Sequence, residues 1–494
     1  MKKLKEYYDK QPLKVILFVA LILRLVSAIF SQGYGMHDDH FLIIESSRSM
    51  VDGHDYQYWF VDGPQGHSLT YPAIMYFFFK LLKFIGIVSL NSQMYVVRIV
   101  HALFSLLTIY FSYKITYRLS NDKKISNYVA WFLSLLWCMP WLSVRNLVEI
   151  VCIPFLLSST WLYMRNNEPN TKEIIFSGIL MGLAFAFRYQ VIFFIGGFGL
   201  AMLIYKQYKQ AVIWSIALII TFCLSQITDI FMWKKPFAEM LGYITYNATH
   251  SKDYITGGFF NYIGVVLGVL VPPLSVFIFF GYFYGYKRLF VFLPSFCFLL
   301  FHSIFPNKQE RFIFPILPFI VILGVIGVNE FFIKHANRVK LKKVFKVCLK
   351  ISIAINVILL IPVTVHYSKS ARVESMKYLR KYNDTAHAFI VEDRVNHRNT
   401  HLPRTYAGGD IRQYNVIKDT NLVCDTVPAF IIFVDSVNLE ERKEYVKKYA
   451  ENLEYETTIY PNTLDQLMQK INRHNRNLPL LIYRNVDEIP EKRN

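Results

Sequence analysis

Two adjacent carboxylates stand between two histidines in the segment GYGMHDDHFLIIESS, residues 33–47. Asp38 and Asp39 follow about twenty mostly apolar residues, so they lie just beyond the predicted end of a first membrane-spanning helix. Such carboxylates can act as a general base, bind a divalent cation or simply face water. Their position at the membrane exit favours chemistry and leaves metal dependence open. His37 and Glu45 are candidates for binding a substrate beside them.

A second polar group occurs in FPNKQERFIFPILPF, residues 305–319. Lys308, Glu310 and Arg311 stand at the start of an apolar run that continues into a predicted membrane-spanning helix. One interpretation is an anchor at the membrane–water interface. The other is a site for an anionic head group, because a guanidinium matches phosphate oxygens in a bidentate fork. The two prolines that follow would then bend the helix so that it lines a groove.

Three arginines, Arg98, Arg145 and Arg188, fall at predicted outer ends of helices. Basic residues collect in inner loops, so arginines on the outer side are exceptions. Arg145 has a structural explanation, because it could pair with Glu149 one helical turn further on. Ionisable groups near the bilayer are nevertheless functional candidates by default, so all three are predicted to contribute to a site.

The composition of the chain indicates which class of partner, nucleic acid or membrane lipid, these groups could bind. The formal net charge is +19, 54% of the residues are hydrophobic and 17% are aromatic, so nucleic-acid binding competes with membrane insertion. Apolar runs at 15–30, 211–224 and 312–328 approach or reach the roughly 20 residues that a spanning helix requires. The basic residues are therefore topology signals, and we expect membrane lipids, with no nucleic acid, as partners.

Alternation between basic and non-basic loops allows the spans to be counted. The apolar stretch near the N-terminus is too long for a signal peptide and no small-residue cleavage site follows it, so it is interpreted as a retained first helix. With the N-terminus inside, the basic clusters fall consistently in inner loops, the densest at 334–346. An odd count of about eleven helices places the C-terminus outside. The predicted spans are 13–31, 93–117, 125–143, 149–164, 173–187, 190–206, 211–233, 262–283, 288–305, 312–332 and 347–367.

The apolar segment 71–88 does not fit as a span, because counting it would turn every later basic cluster outward. Lys80 and Lys83 suit a helix that lies in the outer interface with its lysines reaching toward water. Residues 32–92 are therefore predicted to form one long extracytoplasmic loop within a membrane domain of residues 1–368.

The chain becomes soluble in character after about residue 368. Residues 369–494 are predicted to form a small extracytoplasmic α/β domain, because short β-branched and aromatic runs alternate with amphipathic helices. The predicted strands are AHAFIVED, AFIIFVD, YETTIY and PLLIYR, and the predicted helices are LEERKEYVKKYAENL and TLDQLMQKINRH.

Several stretches, in the same order along the chain, resemble glycosyltransferase family 22, whose members are polytopic mannosyltransferases of the GT-C type. HDDHFLIIE resembles the family's Pro-Asp-Glu motif in the first outer loop, and SLTYPAIMYFFFKLL resembles its Tyr-Pro-Ala segment. The most specific match is FPNKQERFIFPILP, which resembles His-Lys-Glu-x-Arg-Phe-x-x-Pro-x-x-Pro. The chain departs from the family pattern at Asn307, Gln309 and Asp39. Further matching stretches are VVRIVHALFSLLTIYFSYKITYRL, VRNLVE and GLAFAFRYQ.

This resemblance implies a polytopic α-helical enzyme of the GT-C type that moves a hexose, with mannose favoured, from a polyprenyl-phosphate donor to a glycan or glycolipid acceptor. On this hypothesis Asp38 is the general base of an inverting transfer and Asp39 orients the acceptor or holds the base. The hypothesis assigns no cofactor and no metal ligands, and it leaves open whether a divalent cation takes part. The donor phosphate is predicted to lie near Arg311, Lys308 and Arg98. The further substrate-binding candidates are His37, Glu45, Arg145, Arg188, Tyr71 and Glu310.

A transporter or flippase for a lipid-linked sugar is the alternative, since it could use the same outer polar groups. Transporters typically carry charged residues at mid-membrane depth and inverted repeats. Arg24 is the one obvious mid-span charge and no repeat is visible, so the sequence favours an enzyme with an extracytoplasmic active site. The lone cysteine of the outer domain, Cys424, and the Lys-, Ile-, Phe- and Asn-rich composition favour a bacterial cytoplasmic membrane over the endoplasmic reticulum.

Overall fold

The chain forms two compact units in a computed structural model that describes residues 2–56, 63–253, 256–418, 422–471 and 477–493. Unit 1 comprises Met1–Phe30, Gly63–Ile74 and Val96–Val365. Unit 2 comprises Ser31–Asp62, Met75–Tyr95 and His366–Asn494. Helices Thr70–Phe84 and Leu90–Ser120 have residues in both units.

Unit 1 is built from apolar helices that follow one another with short connections. The α-helices in it are Lys2–Lys10, Pro12–Phe30, Lys123–Leu135, Met139–Leu142, Val148–Met164, Thr171–Phe187, Ile192–Ile204, Tyr208–Ser225, Ile227–Trp233, Ala238–His250, Asn261–Val269, Leu274–Tyr284, Leu289–Ile304, Leu317–Lys334 and Val339–Thr364. Two 3₁₀ helices, Tyr189–Val191 and Glu310–Ile316, lead directly into α-helices.

Helices occupy the predicted spans, which confirms a polytopic helical membrane protein. Among the described residues, five helices are long and apolar enough to cross a membrane, or six if one strongly bent pair counts as a single span. That pair, Asn261–Val269 and Leu274–Tyr284, is bent by 118°. Pro272 and Pro273 lie at the break, and prolines lack the N–H that would continue a helix. The total of eleven spans stays a prediction.

Arg24, the mid-span charge, connects helices inside unit 1. Its guanidinium is fully buried. The Nε donates to Ser105 Oγ at 3.0 Å, and Nη1 and Nη2 donate to the carbonyls of Ala20 and Leu133 at 3.3 and 3.5 Å. Since a buried charge requires such partners, these bonds assign Arg24 a structural role.

Small residues allow helices of unit 1 to approach each other closely, as is common where helices pack in a membrane. Gly178 and Gly182 of Thr171–Phe187 face helix Tyr208–Ser225. A Cβ at Gly178 would lie 2.5 Å from the carbonyl oxygen of Trp214, and one at Gly182 would lie 2.7 Å from that of Leu218. Backbone therefore packs on backbone along this pair.

We expect Gly182→Ala to destabilise the protein by about 1–3 kcal/mol, because the added methyl group must push the two helices apart. Gly196→Ala is the matched control, since nothing lies within 4 Å of a Cβ at that helical position. Alanine should be neutral or stabilising there, by about 0.5–1 kcal/mol. Thermal unfolding in detergent measures both variants, and equal shifts of their midpoints would contradict the close packing.

Unit 2 contains a mixed β-sheet, which confirms the predicted α/β character of the C-terminal region. Among the described residues it has five strands: β1 Ala388–Glu392, β2 Arg412–Val416, β3 Phe430–Val434, β4 Leu453–Ile459 and β5 Leu480–Asn485. Their order in the sheet is β2-β1-β3-β5-β4. β1 pairs in parallel with β2 and β3, whereas β5 pairs antiparallel with β3 and β4. β1, β3 and β5 are buried along their whole length, as their near-continuous apolar sequences predict.

The four strands predicted from sequence correspond to β1, β3, β4 and β5, whereas β2 was missed. β2 has the sequence RQYNV, whose polar residues lack the apolar alternation typical of a half-buried strand. The two predicted helices are present as Leu439–Val446 and Thr463–Ile471, and residues 472–474 of the second prediction lie outside the described residues. The other helical segments of unit 2 are the α-helices His37–His40, Ser46–Asp52 and Ser370–Leu379, the π-helix Phe41–Glu45 and the 3₁₀ helices Arg380–Tyr382 and Arg404–Tyr406.

The segment that carries the two aspartates packs on the C-terminal region within unit 2. Gly33 forms an isolated bridge with Ser368, and Ser31 Oγ donates to the carbonyl of His366 at 2.9 Å. Gly33 has φ +72°, and a Cβ there would lie 1.9 Å from the Ser368 carbonyl oxygen, so both the backbone conformation and the contact require glycine. The segment that carries the two aspartates is therefore anchored by residues more than three hundred positions away.

Candidate active-site residues

A buried carboxylate, Glu149, joins two arginines in unit 1. It lies in the first turn of helix Val148–Met164, where the helix dipole favours a negative charge. It pairs with Arg188 Nη1 and, at 3.3 Å, with Arg311 Nε. Arg188 caps the C-terminus of helix Thr171–Phe187, and Arg311 lies in the 3₁₀ helix Glu310–Ile316. Three separate segments thus converge on one carboxylate, and we call these residues the Glu149 cluster.

The side chains of the Glu149 cluster are all buried or nearly so. Two guanidinium groups face one carboxylate, and all three side chains are at most 10% exposed. The sequence predicted Arg311 and Arg188 as site residues but offered a local pairing of Arg145 with Glu149. The structure shows that Glu149 is shared by two arginines distant in sequence.

Further polar groups surround the Glu149 cluster. Arg188 Nη2 donates to Gln190 Oε1, which lies 3.4 Å from His302 Nε2. His302 is buried near the end of helix Leu289–Ile304, and the hydroxyl of Tyr262 donates to the Gln309 carbonyl. Sequence reasoning missed Tyr262 and His302, because a single polar side chain in an apolar helix carries no motif.

Lys308 is buried, and its ammonium group donates to three backbone carbonyls. The acceptors are His302 at 2.6 Å, Ser303 at 2.9 Å and Phe305. These carbonyls form the end of helix Leu289–Ile304, where a positive charge is favourable. All three N–H bonds of the ammonium are used, so Lys308 would act on an anion through its charge.

The other predicted donor- and substrate-site residues of unit 1 have separate partners. Arg98 Nε donates to the carbonyl of Ala28 at 2.7 Å, and the Arg145 guanidinium lies 4.5 Å from the ring centroid of Trp141. The Tyr71 hydroxyl lies 2.7 Å from His101 Nε2 and accepts from Asn146 Nδ2 at 3.0 Å. Arg145, Asn146 and Glu149 all belong to the segment VRNLVE, which therefore supplies contacts to several parts of unit 1.

Glu310 and the prolines complete the motif that ends at Pro318. Glu310 is exposed, whereas Lys308 and Arg311 are buried. Pro315 lies inside the 3₁₀ helix Glu310–Ile316, and Pro318 lies in the first turn of Leu317–Lys334. The prolines therefore mark the start of an α-helix, where the missing N–H has no intrahelical partner to lose.

In unit 2, Asp38 and Asp39 have different environments. Asp39 is buried and closes its own turn, since it accepts from the backbone N–H of Gly35 at 2.8 Å and of Met36 at 3.1 Å. Asp38 is partly exposed at the first turn of helix His37–His40. Asp39 is thus used to shape the turn, and Asp38 is the more accessible carboxylate.

Glu45 is a third acid of this segment, fully buried at the end of the π-helix Phe41–Glu45. It accepts from the backbone N–H and the hydroxyl of Thr405 at 3.2 and 3.3 Å, and it lies 3.6 Å from His40 Nε2. π-Helical turns inside helices occur frequently at functional sites. Through these bonds from Thr405, Glu45 attaches the segment that carries the two aspartates to the C-terminal region.

C-terminal residues that sequence reasoning missed surround this segment. Tyr34 stacks on His40 with a centroid separation of 5.1 Å, and Arg372 lies close enough to act on its hydroxyl electrostatically. His401 lies 5.9 Å, centroid to centroid, from His37, which itself stacks on Phe41. Arg372 and His401 are distant from the aspartates in sequence, so no local pattern indicated them. Among the described residues, no group of three or more His, Cys, Asp or Glu side chains is arranged to hold a metal ion.

The sequence and the structure both have known relatives. The model of the Alg9-like mannosyltransferase family matches residues 15–399. No individually curated protein matches the chain at a significant level.

Three solved structures share the fold. The crystal structure of ArnT from Cupriavidus metallidurans bound to undecaprenyl phosphate has a TM-score of 0.63 at 11% identity, covering 95% of this chain and 97% of that one. Its apo state has a TM-score of 0.58 at 12% identity, with 96% and 98% coverage. Arabinofuranosyltransferase AftD from Mycobacteria has a TM-score of 0.53 at 10% identity, covering 96% of this chain and 40% of AftD.

The family match confirms the resemblance that the motifs predict, and the structural neighbours confirm the fold of membrane glycosyltransferases. The match begins in the first apolar helix and includes both the Asp38–Asp39 segment and the Glu149 cluster. The chain belongs to the Alg9-like mannosyltransferase family and is a membrane glycosyltransferase.

Proposed function

We propose that the protein transfers a hexose, mannose in keeping with its family, from a polyprenyl-phosphate carrier to a glycan or glycolipid acceptor, with inversion at the sugar carbon. The observation that carries this proposal is the Glu149 cluster, in which two buried arginines meet at one carboxylate inside the region matched by the family. Such a group suits the phosphate of a lipid-linked sugar.

The donor phosphate would bind to Arg311, with Arg188, Lys308 and Arg98 adding positive charge. As the bond between the sugar and the phosphate breaks, negative charge develops on the phosphate oxygen, and fixed cations stabilise it. The undecaprenyl phosphate bound to ArnT supports a polyprenyl phosphate as the carrier class. Tyr71, Arg145 and Glu310 remain candidates for contacts to the sugar or the lipid.

Asp38 would act as the general base on the acceptor. Its carboxylate takes the proton of the acceptor hydroxyl while that oxygen forms a bond to the sugar carbon. The bond from that carbon to the phosphate oxygen breaks on the opposite face, and its electron pair leaves with the lipid phosphate. Asp39 and Glu45 would hold the segment in place, with His37 beside the acceptor, because both acids are buried and bonded to the backbone.

We further propose the bacterial cytoplasmic membrane as the location, with the reaction on its extracytoplasmic side. The positive-inside distribution of the loops supports this orientation, since it turns the Asp38 segment and the Lys308–Arg311 turn to the outside. Residues 1–368 would carry the membrane part and residues 369–494 an extracytoplasmic domain that supports the first outer loop.

Sugar transfer by purified protein in detergent tests the proposal. A synthetic polyprenyl-phosphate mannose, incubated with membrane glycolipids, should yield a mannosylated product whose anomeric configuration is opposite to that of the donor. Detergent micelles have no compartments, so a transporter would yield no product there. Absence of transfer, together with movement of the donor across reconstituted vesicles, would overturn the enzyme in favour of the transporter.

A further inference from the structure

The last helix of unit 1, Val339–Thr364, is strongly basic over its first three turns. No aspartate or glutamate occurs in the sequence between Glu330 and Glu374, so the helix has no carboxylate of its own segment to balance this charge. The lysines of the helix are Lys340, Lys342, Lys343, Lys346 and Lys350.

Three of these lysines share one side of the helix. Lys343, Lys346 and Lys350 are exposed, and their spacing of three and four residues makes them neighbours on the helix surface. We call them the lysine stripe. Ser352 Oγ accepts from the Leu274 N–H at 3.0 Å and so joins this helix to the rest of unit 1. Because successive residues are about 100° apart around a helix, Ser352 lies nearly opposite Lys343 and Lys350. The lysine stripe therefore points away from the packed side.

The side of the helix that carries the lysine stripe adjoins the bilayer. Val339–Thr364 is long and apolar enough to cross a membrane, and 11% of its apolar window is buried within the protein. Val339, Val347 and Ile353, which lie beside the stripe, are each more than half exposed. Lysine stems can lie along apolar surface while their ammonium groups reach the interface. The stripe thus meets lipid with charge at the head-group level and apolar side chains next to it.

Other cations of unit 1 have carboxylate partners within the protein. Arg165 pairs with Glu173, and Arg288 pairs with Glu330. Within the part of the chain that the structure describes, the members of the lysine stripe form no ion pair. The positive-inside bias accounts for the side of the membrane on which basic residues collect, whereas it does not account for this difference in pairing. The stripe therefore presents its charge to the surroundings of the protein.

We propose that the lysine stripe binds the head groups of anionic phospholipids in the leaflet around this end of the helix. Clusters of lysines next to a membrane-spanning helix attract anionic lipids through the negative potential of the bilayer surface. The ammonium groups would meet the lipid phosphates, and the exposed valines and isoleucine would contact the first part of the acyl chains. This surface is separate from the proposed sugar transfer and does not depend on it.

Lipid binding to the full-length protein in neutral detergent tests the proposal. Dioleoyl phosphatidylglycerol is the anionic probe, and dioleoyl phosphatidylcholine has the same acyl chains without net charge. Native mass spectrometry during a titration measures how much of each lipid is bound. We expect phosphatidylglycerol to bind more tightly. Combining Lys343→Gln, Lys346→Gln and Lys350→Gln should weaken its binding roughly 10-fold or more, because each lysine near an anionic surface contributes up to about 5-fold.

A matched control removes the same charge from three lysines of unit 2, two of which pair with Glu440 and Glu444. It combines Lys443→Gln, Lys447→Gln and Lys448→Gln, and it should retain phosphatidylglycerol binding. Arg311→Ala should retain it as well, which separates this surface from the proposed donor site. Equal affinity of the wild type for the two lipids, or equal effects of the two triple variants, would overturn the proposal.

Replacing the lysine stripe by three arginines separates charge from packing. Arginine keeps the positive charge on a long side chain, so phosphatidylglycerol binding should persist in this variant. Loss of binding in the arginine variant to the same extent as in the glutamine variant would show that charge does not hold the lipid, which also overturns the proposal. High salt should weaken binding to the wild type, since exposed charges are screened.

Discussion

Replacing Asp38 by Asn should lower the turnover of sugar transfer by roughly 100-fold or more, the usual scale for loss of a general base. The amide has nearly the same size, but it cannot accept the proton of the acceptor hydroxyl. Asp38 is partly exposed, so the fold should tolerate the change. Steady-state kinetics of the purified variant in detergent measure the effect. The acidic limb of the pH–rate profile, which reports ionisation of the base, should also disappear.

Asp55→Asn is the matched control for this substitution, because it makes the same charge change in the same segment of unit 2, Ser31–Asp62. Its turnover and its pH–rate profile should resemble those of the wild type. Asp39→Asn should show its main effect in thermal unfolding, since Asp39 is bonded to two backbone N–H groups. Turnover near the wild-type value in folded Asp38→Asn protein would remove Asp38 from the chemistry.

Replacing Arg311 by Ala should weaken binding of the polyprenyl-phosphate donor by about 30-fold or more. The expectation follows from the roughly 2–5 kcal/mol lost when one partner of a buried, hydrogen-bonded charge pair is truncated. With Arg311 absent, Glu149 keeps its pair with Arg188, and the guanidinium proposed to hold the phosphate is lost. Titration of detergent-solubilised protein with polyprenyl phosphate gives the dissociation constant directly.

Arg288→Ala is the control for the loss of an arginine from an ion pair. Arg288 pairs with Glu330 in the same unit, so its removal causes the same change in net charge at another place. Arg311→Lys keeps the charge but loses the bidentate fork, and we expect it to recover part of the affinity. If donor affinity is the same in Arg311→Ala and Arg288→Ala, the phosphate binds elsewhere.

Much of the fold was predictable because hydrophobic pattern and charge bias act locally. Continuous apolar runs predicted most helices of unit 1, and β-branched runs predicted four strands of unit 2. The errors fell where local chemistry gave no signal. Pro272 and Pro273 interrupt a segment that was predicted as one span. The residues of β2 are polar, and this strand is stabilised by its pairing with β1. Span number and the division of the chain near residue 368 remain predictions.

Residue types and their order along the chain predicted by themselves the family and the membrane environment, and they made Asp38, Arg188 and Arg311 candidates for the site. Only the tertiary structure shows which charged groups form ion pairs. Glu149 pairs with Arg188 and Arg311, which follow it in the sequence by 39 and 162 positions. The tertiary structure likewise decided that Asp39 shapes a turn and that Thr405 fastens Glu45. The physical reason is that ion pairs and hydrogen bonds depend on distances of a few ångströms, which sequence separation does not encode.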